Sequence, residues 1–338
     1  MIKAVLTDRQ TDISCVRLVA LILIICCHLT QYYDLEVCQW LNVGVQVFLC
    51  ISGFLYGQKR ITDYSTFLNK RFWKILLPYY LVFLTYALII WRFHREQFDY
   101  QRFWGGLIIS KTLNGAGHLW FIPTILMCYT ITVFLDIYNK RYIKTNRSWL
   151  VFFTVTSIIT EIAFRNFLYY YGAAWMVCYV MAYSLGINDK RGFFSTKWIV
   201  VIFLFMAVLG NALQIYIDYI GSVSIPETFS TYYSRFKSYN HVWLGISIFL
   251  SIRCIWKRIQ VGERIKNLFL ITDKYSYEAY LVHQLIILGP LSLMRITNIV
   301  PFNIVVIISL ICFFAWVLYE VETFLQKLIT ARGINHVS

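Results

Sequence analysis

Ten apolar stretches of spanning or near-spanning length follow one another along this chain: residues 13–33, 41–57, 75–92, 118–138, 148–165, 167–186, 198–218, 241–256, 277–296 and 302–325. A membrane-crossing helix needs about 20 mostly apolar residues. In hydrocarbon every backbone polar group must be satisfied inside the protein. The repetition therefore predicts an all-α integral membrane protein, with about ten transmembrane helices in one bundle. The shorter stretches, 41–57 and 241–256, fit tilted or partly buried helices. With 59% hydrophobic and only 14% charged residues, the composition excludes a soluble domain of this length. The first stretch carries Arg17 within it and no small-residue cleavage site follows, so it does not read as a removable signal peptide.

The basic residues set the orientation. With both termini in the cytoplasm and the helices alternating, roughly three quarters of the 31 Lys and Arg residues fall on the inner side, as the positive-inside rule requires. The net charge of +14 is thus a topology signal. It is split among short loops rather than gathered on one face, which argues against nucleic acid. The nine cysteines lie mostly within apolar spans, without CxxC pairs or His-Cys metal spacing. They read as small core residues, and neither a disulfide framework nor a metal site is expected. No linker or internal repeat divides the chain, so residues 1–338 read as a single transmembrane domain without an appended soluble domain.

Polar side chains inside such a chain are costly, and function is the first reading for them. Arg17 and His28 sit eleven residues apart in the first span, almost three helical turns, which puts both on one face about 16 Å apart. The plainer reading is a snorkelling arginine and a histidine bonded to a neighbouring helix. Asn42, Gln46 and Gly53 share a face of the second span. Ser52-Gly53 lets another backbone approach closely, which is equally a helix-packing signal. Lys70, Arg71 and Lys74 precede the third span and form a cationic group suited to phosphate, although any inner loop carries such charge. His118-Leu-Trp120 opens the fourth span, and Ser276, Tyr280 and His283 form one stripe of the ninth, with Glu278 pointing away. A lone helix-face histidine is more often structural. The non-spanning stretches 93–117 and 219–240 carry Tyr100, Trp104, Tyr232, Tyr233 and Tyr239, as an interfacial belt or as stacking faces for sugars.

Arg17-x10-His28, Gly44-Val-Gln-Val-Phe-Leu-Cys-Ile-Ser-Gly-Phe54, Arg71-x-x-Lys74 with Pro78, His118-Leu-Trp120, and Ser276-Tyr-x-x-Tyr-Leu-Val-His283 occur in that order. Together they resemble the acyltransferase-3 family of multi-pass enzymes that modify bacterial surface glycans. The resemblance spans nearly the whole chain. It implies a bacterial inner-membrane O-acetyltransferase, with acetyl-CoA as the cytoplasmic donor and a hydroxyl of a polysaccharide or lipid-linked glycan as acceptor. It implies His28 as the catalytic histidine, Arg17 as its motif partner and the basic pair as donor-binding. The family pattern at that pair is Arg-x-x-Arg, and Lys74 keeps its charge without the bidentate fork. Ser52, His118, Trp120, Tyr280 and His283 are the expected substrate-binding residues.

The chemistry fits independently. Acyl transfer from a thioester to a hydroxyl needs a base, and imidazole is one near neutral pH. No cysteine or serine is paired with a base as a convincing nucleophile, which favours direct attack by the acceptor, while an acyl-histidine intermediate stays open. A reading of another class is a glycan translocase without chemistry of its own. It accounts for the helices and outer aromatics but not for the Arg17–His28 spacing.

Overall fold

A computed structural model describes the backbone of residues 2–221 and 225–334 and the side chains of residues 11–221 and 225–329. Every regular element among the described residues is helical. In chain order these are α1 (Ile2–Tyr32), α2 (Cys38–Leu41), α3 (Gly44–Gln58), α4 (Tyr64–Phe93), α5 (Tyr100–Leu107), α6 (Phe121–Tyr142) and α7 (Asn146–Asn166). Then follow α8 (Ala173–Arg191), α9 (Thr196–Ile215), α10 (Glu227–Trp256), α11 (Glu263–Lys274), α12 (Ser276–Ile287) and α13 (Val300–Ile334).

Among the described residues, 7 segments are long and apolar enough to cross a membrane. They are Thr11–Tyr32, Cys38–Gln58, Tyr64–Phe93, Gly117–Tyr142, Asn146–Asn166, Thr196–Ile220 and Val300–Ile329. The other three expected stretches take different forms. The 19-residue helix α8 is buried continuously from Met176 to Asn188, as a helix apolar on all sides should be. The 30-residue helix α10 begins at Glu227, so much of the presumed outer loop 219–240 is helix. The expected span 277–296 is corrected: α12 stops at Ile287 after 12 residues, and Gly289-Pro290 follows, where proline disfavours helix at the residue before it.

The end of α1 fixes where His28 sits. Asp34 takes a left-handed conformation with φ 53°, its N–H donating to the Gln31 carbonyl at 3.1 Å and that of Leu35 to the Thr30 carbonyl at 3.1 Å. This pair of bonds is a Schellman stop. It places Gln31 in the last helical turn and His28 just before it.

The chain gathers into two compact units. The first comprises Met1–Ile24, Gln39–Tyr64 and Met127–Phe269; the second comprises Ile25–Cys38, Ser65–Leu126 and Leu270–Ser338. In the first unit α8 packs against α3 and α7. A Cβ at Gly53 would meet the Tyr179 carbonyl, and one at Gly57 that of Tyr183, so both glycines permit the close approach of α3 and α8. The same unit buries a charge cluster: Arg253 Nε donates to Asp12 Oδ2 at 2.9 Å, its Nη2 lies 3.7 Å from Asp189 Oδ2, and its Cζ covers the Phe54 ring at 4.1 Å. Tyr239 and Arg165 both bond Glu161, and Tyr233 donates to Asp218 at 2.6 Å, so these tyrosines tie helical segments together.

In the second unit α12 packs on α13. The hydroxyls of Tyr79 and Tyr80 on α4 donate to the carbonyls of Gly106 and Leu107 at 2.7 and 2.9 Å, holding α5. Helix α4 starts at Tyr64, earlier than the apolar pattern indicates. Arg71 and Lys74 are therefore about two and three turns inside it rather than at its start.

Candidate functional site

The second unit brings three histidines from distant parts of the chain together. The His28 and His283 ring centroids are 5.1 Å apart, and those of His118 and His283 are 5.0 Å apart. His28 is half-buried, whereas His118 and His283 are 4% and 0% exposed.

Local structure explains each position. His118 lies in a 3-10 turn, Gly117–Trp120, that leads into α6. The chain enters this turn through Gly115 at φ 76°, a conformation glycine adopts without the usual steric cost, and a Cβ there would stand 3.2 Å from Pro290 Cδ. The turn is then bolted to α12. The His118 N–H donates to Gln284 Oε1 at 2.9 Å, and the Tyr280 hydroxyl donates to the His118 carbonyl at 2.5 Å. Tyr280 thus positions the His118 turn rather than presenting that hydroxyl to a ligand.

The bonding pattern assigns protons. His28 Nδ1 is 3.0 Å from Gln31 Oε1, His118 Nε2 is 2.9 Å from the Leu281 carbonyl, and His283 Nδ1 is 2.5 Å from the Tyr280 carbonyl. A carbonyl oxygen only accepts, so each of these nitrogens is a donor. In the neutral ring the other nitrogen carries a lone pair. In His118 that nitrogen is Nδ1 and in His283 it is Nε2, and both are buried without a partner. The Tyr86 hydroxyl is likewise buried and unpartnered, with its ring 6.2 Å from that of His118. Buried polar atoms are nearly always hydrogen-bonded, so three exceptions around one cluster mark a place built for a polar ligand or for water. Among the described residues no group of His, Cys, Asp and Glu is arranged to hold a metal ion.

Of the residues singled out from sequence, His28, His118, Tyr280 and His283 converge here. Trp120 is half-buried in the same turn as His118. Lys70 and Lys74 are exposed and Arg71 half-buried along α4. Lys74 lies within electrostatic reach of Glu278 and Glu322, two buried carboxyls. Arg17 and Ser52, both half-buried, belong to the first unit. Sequence reasoning missed Gln31, Tyr86 and Gln284. Gln31, three residues from His28 on one helix face, was the one within reach of spacing alone.

The model of one protein family, described as an acyltransferase domain, matches residues 10–320. The chain belongs to the acyltransferase-3 family. Neither the curated proteins nor the solved structures hold a significant match to it. As an acyltransferase-3 member with several spanning helices it is a multi-pass membrane acyltransferase in contact with the lipid bilayer. The family match runs through both compact units and takes in the whole histidine cluster.

Proposed function

We propose that this protein is an inner-membrane O-acetyltransferase that moves an acetyl group from cytoplasmic acetyl-CoA to a hydroxyl of a surface or secreted polysaccharide, or of its lipid-linked precursor. The observation that carries this reading is the Gln31 bond to His28 Nδ1, which leaves Nε2 as a base beside two buried, unpartnered imidazole nitrogens.

In the proposed reaction the acceptor hydroxyl gives its proton to His28 Nε2 as its oxygen attacks the thioester carbon. The tetrahedral adduct collapses and breaks the carbon–sulfur bond. The CoA thiolate takes the proton back from His28, leaving ester, thiol and neutral histidine. Holding the hydroxyl close to the base supplies much of the rate, and the proton transfer itself typically adds about 100- to 10,000-fold. His118 Nδ1 and His283 Nε2 accept hydrogen bonds from hydroxyls of the acceptor, and Trp120 completes substrate binding. Lys70, Arg71 and Lys74 hold the phosphates of the donor, with Arg71 carrying more of that role than Lys74. Residues 1–338 act as one transmembrane acyltransferase domain with both termini inside.

The test is thiol release from acetyl-CoA by the purified protein in nanodiscs, with and without glycan. Glycan-dependent turnover supports the reading. Glycan movement across sealed vesicles without thiol release would replace it with the translocase.

A further inference from the structure

The first unit contains a cavity of about 700 Å3, within the range of small-molecule sites. Its wall includes Gln46 of α3, Arg165 of α7, Trp175 of α8, and Arg235 and His241 of α10. Gln46, Trp175 and Arg235 lie in the first third of α3, α8 and α10, Arg165 lies at the finish of α7, and His241 lies midway along α10. The opposite ends carry Lys59, Arg60, Arg147, Lys190, Arg191, Lys257 and Arg258. By the positive-inside rule the basic ends face the cytoplasm, which puts the cavity at the outer face.

Its chemistry is selective. Among the described residues no Asp or Glu lines it. Arg165 is neutralised by Glu161, but Arg235 has no carboxylate partner among the described residues and lies 5.5 Å from the Tyr232 ring centroid. One uncompensated guanidinium in a concave wall favours an oxyanion. His241 Nε2 is buried without a hydrogen-bond partner, so the wall also holds an unfilled polar position. Trp175 supplies an aromatic face of the kind on which sugar rings stack.

We propose that this cavity binds an acidic sugar residue of the acceptor glycan: an oxyanion on a hydroxyl-rich ring, held by Arg235 and packed against Trp175. The proposal rests on the reading of the chain as a glycan acyltransferase only for the nature of the acceptor. The oxyanion is a carboxylate on the ring or a phosphate attached to it.

The experiment is calorimetry on the full-length protein in nanodiscs with four probes: a glucuronate oligosaccharide, glucose 1-phosphate, a neutral glucose oligosaccharide and CoA. At least one acidic sugar is expected to bind about 10-fold or more tightly than the neutral one, with the advantage shrinking as salt rises. That advantage is expected to vanish in Arg235→Ala, to survive in part in Arg235→Lys, and to be unchanged in His28→Ala. Tighter binding of the glucuronate probe assigns a carboxylate, and of the phosphate probe a phosphate. Equal binding of acidic and neutral sugars, a preference retained by Arg235→Ala, or displacement of the acidic sugar by CoA would each overturn the proposal. Because binding is read without turnover, an acidic sugar that binds but is never acetylated would sink the acetyltransferase reading and leave the cavity assignment standing.

Discussion

His118 and His283 face each other edge-to-face with ring centroids 5.0 Å apart, and each ring is anchored by one nitrogen to a main-chain carbonyl of α12. The anchored nitrogens make both rings donors at one position. The remaining nitrogens are buried acceptors that the protein itself does not satisfy. A histidine kept for stability would have both positions filled. This pair is held in place by the fold with its second position left open.

Replacing His283 by Leu is therefore expected to separate stability from activity. The substitution removes one hydrogen bond within α12, worth about 1 kcal/mol, and also removes a buried unsatisfied nitrogen whose desolvation costs about as much or more. The thermal midpoint in detergent should stay within a few degrees of wild type or rise, while turnover falls about 10-fold or more. A sharply lowered midpoint with normal turnover would make His283 a structural residue.

His28→Ala should accumulate in the membrane at wild-type levels and lose about 100- to 10,000-fold in glycan-dependent thiol release. Its side chain is half-buried near the end of α1, so little packing is lost. Near-normal turnover by a well-expressed variant would remove His28 from the mechanism.

Arg71→Ala should raise the KM for acetyl-CoA with little change in kcat, and the effect should diminish at high salt. Lys74→Ala should have the smaller effect, because an ammonium lacks the bidentate fork with which a guanidinium grips phosphate. The same topology predicts that a cysteine placed at Asp63 is modified by impermeant maleimide only in inside-out vesicles. Labelling in intact cells would contradict both the orientation and the donor site.

Arg253→Ala should be the most destabilising of these changes. It leaves Asp12 buried without its 2.9 Å partner, and breaking a buried ion pair from one side costs about 3–5 kcal/mol. Adding Asp12→Asn should recover part of the loss, read as a partial return of the thermal midpoint. Additive losses in the double variant would mean that the two residues do not act as a pair.

The one-dimensional pattern settled the class of this protein. Long apolar stretches in a chain with 14% charged residues leave helices in lipid as the only economical structure, because each backbone group then bonds within its own segment. Spacing within one helix was legible for the same reason: His28 and its family motif, and the Tyr280–His283 stripe, depend only on helical periodicity. What spacing could not show is where α12 stops, since apolar content continues past Ile287 while Gly289-Pro290 breaks the helix. Nor could it bring His118 against α12, because that bond joins residues 163 positions apart and depends on how whole helices pack. Which nitrogen of each histidine is left open, which carboxyls act on Lys74, and which side chains wall the cavity around Arg235 are all decided by neighbours from other helices. Those neighbours exist only once the tertiary structure has formed.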